Sequence, residues 1–370
     1  MKYYVIAGEA SGDLHGSNLL KEIYKQDANA AVRCWGGDMM QATGATLVKH
    51  YRDLAFMGFA EVIKNLPTIL NNLAFCKKDI ESFAPDVLVL IDYPGFNLRI
   101  AEWAKKKEYK IAFYISPQVW AWKANRVKKM KVNIDLMMVI LPFEKDYYTD
   151  TWQWPVVYVG HPLVKVIDAY KPQPLSVPGN KPIVAVLPGS RKQEIQVKLP
   201  EMLKVASQFT THQFVVAKAP SVDDAFYEPI LAPYNNVTAV KGRTYDLLAN
   251  AAAAIVTSGT ATLETALFGV PEVVCYKGSN ISYQIARRLI KIKYISLVNL
   301  IMNKTVVREL IQHDMTAKNI ASELQKLLFD KNHIGKIKAD YATLHKLLTS
   351  DGNPSEKAAS LIINLVVTTM

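Results

Sequence analysis

Asp92 closes the all-apolar run VLVLI (87–91) and is followed by Pro94-Gly95, so it stands where a buried strand turns toward a helix. A carboxylate at the carboxyl end of such a strand faces the edge where α/β sheets bind ligands, and it can accept a proton as a general base. The bland alternative is a helix cap, for which Asn97 is the better placed residue. Glu9 and Asp13, in AGEASGDLHG (7–16), are further carboxylates at a strand end and the reserve candidates for the base. The spacing of Gly8, Gly12 and Gly16 matches neither the dinucleotide fingerprint nor a P-loop. Ser11 beside Gly12 also rules out the G-x-S-x-G elbow. Here the bland reading is a strand–helix turn capped by Ser11 or Asp13.

Two other stretches suit an anion. In LPGSRKQEI (187–195), Gly189 and Ser190 offer a tight turn with free amides, and Arg191 adds a fixed, bidentate cation. Glu194 reads as the first-turn acid of the helix that follows. In TSGTATLE (257–264), Ser258, Gly259, Thr260, Ala261 and Thr262 lie where a strand becomes a helix, and Glu264 is within reach of a ribose diol. Together the two turns predict a nucleoside diphosphate site. No D-x-D pair occurs, the three cysteines are widely spaced, and the seven histidines include no H-x-x-x-H. No metal and no cofactor are therefore expected, and arginine and helix dipoles must balance the diphosphate.

The elements that must position these residues alternate. Predicted strands at 2–8, 31–36, 86–92, 110–116, 136–140 and 156–160 are separated by helices at 14–26, 61–83, 97–107 and 124–132. YKPQPLSVPGNKP (170–182), with four prolines, reads as a linker. Beyond it come strands at 182–187, 213–218, 253–257 and 272–276 with helices at 192–208, 223–232 and 261–268, then a helical tail over 315–370. The expectation is an α/β chain with two doubly wound, Rossmann-like domains facing a cleft. Residues 1–168 form the first, 169–181 the linker and 182–335 the second, and 336–370 are helices packing back or exchanged in a dimer.

Formal net charge is +11, with five basic residues in WKANRVKKMK (122–131) and four in ARRLIKIK (286–293). With apolar neighbours such patches suit an anionic lipid surface better than nucleic acid, because aromatic RNA-binding signatures are missing. Met57, Leu66, Ile69 and Leu73 form a helical stripe, and Trp120, Trp122, Lys128 and Lys129 have a membrane-belt composition, so these eight are predicted to face membrane or acyl chains. A core-facing helix is the competing reading. The N-terminal KYYVIA reads as a strand, no apolar run nears a membrane span, and three widely spaced cysteines suit a reducing setting, so a soluble, cytoplasmic protein is expected.

The chain resembles the lipid-A-disaccharide synthase family. The resemblance rests on AGEASGDLHG, DLAFMGFAEVI (53–63), DYPGFNLRIA (92–101), YISPQVWAWKANRVKKM (114–130), LPFEKDYY (141–148), VGHPL (159–163), LPGSRKQEI, SGTATLE, YISLVNLI (294–301) and RELIQ (308–312), in the family's order. It implies an inverting GT-B glycosyltransferase. Such an enzyme moves 2,3-diacylglucosamine from UDP-2,3-diacylglucosamine to the 6-hydroxyl of 2,3-diacylglucosamine 1-phosphate, releasing UDP. It also implies Asp92 as base, Arg191 at the diphosphate, Tyr276, Asn299 and Gln312 around the nucleotide, peripheral attachment to the inner membrane, and a homodimer that exchanges C-terminal segments. The chain departs from the family pattern at Val298, Arg308 and 303–305. The rival reading is a UDP-N-acetylglucosamine 2-epimerase-like enzyme, which shares the architecture but needs no apolar, basic N-terminal half.

Overall fold

Runs of β-branched and aromatic residues too short for a helix set the strands, and their burial on both faces makes the sheets parallel. In a computed structural model, residues 1–54, 66–278, 292–349 and 352–368 are described. They form two units, Met1–Pro162 with Leu348–Met370, and Leu163–Leu347.

In the first unit the strands are β1 (Lys2–Ala7), β2 (Ala31–Gly36), β3 (Thr46–His50), β4 (Val87–Ile91), β5 (Lys110–Tyr114), β6 (Leu136–Val139) and β7 (Val157–Tyr158). They lie in the order β3-β2-β1-β4-β5-β6-β7, all parallel. Every side chain of β4 is fully buried, as its unbroken apolar run requires. The helix Leu66–Phe83 packs on this sheet through Leu73, Cys76 and Ile80, with Ile69 partly buried against the same cluster. This corrects the acyl-facing expectation for Ile69 and Leu73. Positions 69, 73, 76 and 80 are one helical stripe, and that stripe is the core side. Leu70 and Phe75 point outward instead. Met57 lies outside the described residues, as does the side chain of Leu66. The closing helix Pro354–Val367 returns to the helix Ala10–Gln26, burying Ala358, Ala359, Ile362 and Val366. Ser360 Oγ donates to Gln26 Oε1 at 2.8 Å, and Asn353 Nδ2 donates to Glu22 Oε1 at 3.2 Å.

The second unit holds β8 (Ile183–Leu187), β9 (Gln213–Lys218), β10 (Val237–Lys241), β11 (Ala251–Thr257), β12 (Glu272–Tyr276) and β13 (Arg308–Ile311), in the order β10-β9-β8-β11-β12-β13. The proline-rich stretch 170–182 lies within this unit. The Asp246 carboxylate accepts from Tyr170 Oη and the Gln173 amide, both at 2.8 Å, and from Arg243. Each sheet reverses its strand order once, between β1 and β4 and between β8 and β11. Such switch points are where doubly wound sheets bind ligands. Among the described residues no helix is long and apolar enough to cross a membrane.

Candidate active site

At the β1/β4 switch point the backbone is bent hard. Asp92 and Tyr93 both have positive φ, 44° and 48°, and Ile115, just past β5, sits at 68°. Non-glycine residues in this region cost of order 1–3 kcal/mol each and persist only where surroundings hold them. Asn97 supplies part of that hold, because its Nδ2 lies within 3.3 Å of the Ile6, Ile91 and Asp92 carbonyls. Asn97 is therefore a brace for the corner rather than a cap, and its helix starts earlier than expected, at Pro94. Gly8 is required for close approach: a Cβ there would meet the Tyr93 ring at 2.3 Å.

The half-buried Asp92 carboxyl is pushed up to about 7, first by burial and then by the charge of Glu9, while the Tyr93 amide pulls it down. A carboxyl so tuned is half ionised near neutral pH, where a general base works best. Glu9 is the N-cap of the helix Ala10–Gln26 by its backbone and makes no side-chain capping bond. Asp13 differs. It is buried and accepts from the amides of Gly37, Met39 and Met40 at 2.8–3.1 Å, so its carboxylate caps the helix Asp38–Gln41. Three N–H donors commit that carboxylate to holding the turn.

A third carboxyl, Glu144, lies in the LPFEKDYY motif, but nothing in that motif's residue types marks it as a site residue. Fully buried after β6, it accepts from Trp120 Nε1 at 3.0 Å and from the Leu141 amide at 3.1 Å. Burial raises it to about 7, and Asp92 is among the charges that add to this. Trp120 is thereby turned inward, its ring edge-on to Phe143 at 4.9 Å, which corrects its membrane-facing expectation. An indole N–H beside a buried carboxyl finds a better partner there than in an apolar layer. Trp122 is exposed, with Lys123 Nζ 4.1 Å and Arg126 5.8 Å from its ring centroid. Lys128 and Lys129 are exposed, the latter 3.7 Å from Glu102. His161 is buried and held well below its ordinary value, by burial and then by His15.

The β8/β11 switch point carries the opposite charge. Gly189 has φ +120°, a conformation that L side chains rarely adopt, so glycine is favoured there; a Cβ would lie 2.7 Å from Glu194 Oε2, which would have to move aside. Arg191 is the N-cap of the helix Lys192–Leu203 and is exposed, with Nη1 3.5 Å from Glu194 Oε1. Ser190 is exposed beside it. Gly259, with φ +149°, Thr260 and Ala261 open the helix Thr260–Leu267.

Four expected ligand contacts are engaged internally, and these are corrections. Ser258 Oγ donates to the Ile295 carbonyl at 2.9 Å and its amide to Cys275 O. Thr262, fully buried, donates both its amide and its hydroxyl to the Gly259 carbonyl. Asn299 is fully buried, accepting from the Val306 and Val307 amides and donating to Val307 O and Glu309 Oε1. Gln312 clamps the backbone of Gly278 from both sides, at 2.7 and 3.2 Å. The physical reason is common to all four: buried polar groups must find partners, and here the chain's own backbone and side chains supply them. Glu309 is the hub, accepting from the Ile295 and Ser296 amides, Ser296 Oγ and Asn299. Glu264 accepts from Tyr245 Oη at 2.9 Å and is raised by burial. Tyr276, half-buried at the end of β12, lies under Lys198 Nζ at 5.6 Å. Among the described residues no group of three or more His, Cys, Asp or Glu could hold a metal ion.

A family model described as lipid-A-disaccharide synthetase matches residues 3–363. The lipid-A-disaccharide synthase of Geobacter metallireducens is 38% identical over 372 residues, spanning 98% of this chain and 96% of that one. The fold is shared more widely. The glycotransferase of kitacinnamycin superposes with a TM-score of 0.68 at 14% identity, covering 99% of both chains. The UDP-GlcNAc 2-epimerase from Neisseria meningitidis, solved bound to UDP-GlcNAc, gives 0.64 at 12% identity over 100% of both.

Proposed function

The chain belongs to the lipid-A-disaccharide synthase family, a family of glycosyltransferases, and from that premise we propose how its two switch points divide the reaction. The substrates are a UDP-activated sugar and a sugar acceptor. In the finer reading, 2,3-diacylglucosamine passes from UDP to the 6-hydroxyl of 2,3-diacylglucosamine 1-phosphate. Attack on the anomeric carbon from the face opposite UDP forms the new C–O bond as the bond to the diphosphate oxygen breaks, so an α-linked donor gives a β-product. Asp92 takes the hydroxyl proton. Arg191 and the start of the helix Thr260–Leu267 balance the charge that grows on UDP. Tyr276 and Glu264 lie on the nucleotide side.

The observation that carries this is the Asp92 corner: a strained, braced turn at a switch point, holding a carboxyl near 7 beside Glu9. An epimerase-like reaction would also use carboxylates there, so the shared fold does not separate the two readings. Incubation with UDP-2,3-diacylglucosamine and the 1-phosphate acceptor does. Release of UDP with a disaccharide 1-phosphate supports transfer, and a 2-epimer of the donor would overturn it.

Peripheral attachment to the inner membrane and a homodimer that exchanges the helix Pro354–Val367 belong to the same reading. Exposed Trp122, Lys128 and Lys129 support the first. Reversing Lys128 and Lys129 to glutamate should weaken binding to anionic vesicles at low salt, at about 1 kcal/mol per lysine removed. Lys131 is left out because its ammonium holds the carbonyls of Trp152 and Gln153.

A further inference from the structure

Lys198 draws no notice in the sequence because its place in a helix, among EIQVKLP, reads as an ordinary solvated lysine. The structure buries it, leaving 3% exposed. Its ammonium donates to Thr257 Oγ1 at 2.6 Å, and Thr257 is the last residue of β11, immediately before the Ser258–Gly259 turn. Glu194 Oε2 is 3.9 Å away, close enough to offset charge but too far for a hydrogen bond. An ammonium has three donors; among the described residues only Thr257 Oγ1 accepts a hydrogen bond from it, and the Tyr276 ring lies beneath it at 5.6 Å. Accepting that bond leaves the Thr257 hydroxyl its own proton to donate, and no acceptor for it is found among the described residues. Thr257 is itself buried, at 5% exposed.

Buried donors left over in this way are rare, since each costs about 1–3 kcal/mol, more when charged. Here they gather at one place. A Cβ added at Gly189 would lie 3.5 Å from Thr257 Cγ2 and 2.7 Å from Glu194 Oε2, so the glycine turn, Glu194 and the Lys198–Thr257 pair are in contact. The N-terminus of the helix Thr260–Leu267 begins three residues past Thr257. Burial lowers the Lys198 ammonium, Glu194 and Cys275 raise it, and the Arg191 charge lowers it. The engaged hydroxyls of Ser258 and Thr262 cannot serve an anion, which leaves this pair as the charged and hydroxylic floor of the turn.

We propose that Lys198 is a positioning residue for the leaving diphosphate, fixing Thr257 and placing a second positive charge beneath the Gly259 turn. The inference rests on the reading that UDP binds the second unit. It makes Arg191 the exposed cation of the site and Lys198 the buried one, with Glu194 between them.

Calorimetric titration of the full chain with UDP and with uridine tests it, comparing wild type with Lys198→Met. Methionine keeps an unbranched stem of similar length and removes the ammonium with its charge and donors. UDP affinity should fall about 10- to 100-fold, the range for a charge-assisted hydrogen bond, while uridine affinity stays within about twofold. Thr257→Val, which keeps the shape and removes the hydroxyl, should give the same pattern more weakly, and it decides the question should Lys198→Met fail to fold. Equal losses for UDP and uridine would mean the pair merely supports the loop, and unchanged UDP affinity would assign Lys198 to the fold alone; either overturns the proposal. A wild-type chain that binds no UDP overturns the reading beneath it instead.

Discussion

The two sheets reverse their strand order in the same way, yet the two corners so created carry opposite charge. At β1/β4 the corner presents Glu9 and a half-buried Asp92, with Glu144 behind. At β8/β11 it presents Arg191, a buried Lys198 and the start of an eight-residue helix. The backbone decides where a ligand can sit, and the side chains decide what is done to it. A corner that holds carboxyls near neutrality can take a proton and repels a diphosphate. A corner with two cations suits an anion and cannot act as a base. The contrast is sharpest in their shared device, a residue at positive φ on each turn. In the second unit the turn residues are glycines, whereas in the first Asp92 and Tyr93 bear the strain with side chains attached.

Breaking the acidic corner should have the largest effect. Asp92→Asn keeps the shape and removes the basic lone pair, so turnover should fall about 10²–10⁴-fold by steady-state assay, with UDP affinity unchanged. UDP affinity falling in step with rate would make Asp92 a binding residue. The same variant has a second signature. The Asp92 carboxyl lies near 7 in the folded chain against 3.8 ordinarily, so the native state holds a proton that the unfolded chain releases. Stability is therefore lost as pH rises from about 4 to 7, with the full penalty present above 7. Asp92→Asn should melt higher than wild type at pH 8, by a margin that narrows toward pH 4. A variant no more stable than wild type at pH 8 would mean the carboxyl is not strained by its site.

Breaking the basic corner comes next. Arg191→Ala should cost about 10²–10³ in kcat, the scale for one donor on a developing oxyanion. Activity within about tenfold of wild type would remove Arg191 from the chemistry. With protein cations carrying the diphosphate, EDTA should leave the rate nearly unchanged. A collapse restored by magnesium would give that job to a metal.

Much of the fold is legible in the chain, and what is not has physical reasons. The buried strands of both sheets announce themselves as apolar runs, but β3, β10 and β13 do not. All three are edge strands, in TLVKH, VTAVK and RELI. Edge strands carry charge to avoid pairing with other chains, and charge erases the pattern that reveals a strand. The helix Leu66–Phe83 shows the converse ambiguity, because an apolar stripe reads the same whether it meets a core or a lipid. Glu144 and Lys198 stay hidden because each is charged within a helix and buried only by tertiary contacts. Asn299 and Gln312 lie where the family resemblance directs attention, but their amides are taken up by Val306, Val307 and Gly278. Only coordinates distinguish a loop's brace from a ligand's contact.

The neighbouring pair Glu9 and Asp13 refines the acidic corner further. Asp13→Ala strips the cap from the amides of Gly37, Met39 and Met40. Losing such a cap costs about 0.5–2 kcal/mol, more if the amides stay dry. The melting temperature should fall by several degrees while kcat stays within about threefold. A kcat loss like that of Asp92→Asn, at unchanged stability, would return Asp13 to the list of bases.

Glu9→Gln should have the smallest effect and the most specific one. As a base, Asp92 must be ionised, so kcat/KM should climb with pH through about 7 and then level. Two causes hold the carboxyl that high, burial first and the Glu9 charge second. Glutamine at position 9 removes only the second, so the rising limb should move toward acid and still lie above 3.8. Above the limb the plateau should match wild type, because no group that touches the reacting atoms has changed. At pH 6 the variant should therefore outperform wild type relative to its own plateau, by less than about tenfold, because burial still opposes ionisation. A limb that stays in place would show that Glu9 is not felt at Asp92. A plateau lowered about a hundredfold would make Glu9 itself the proton acceptor and Asp92 the residue that tunes it.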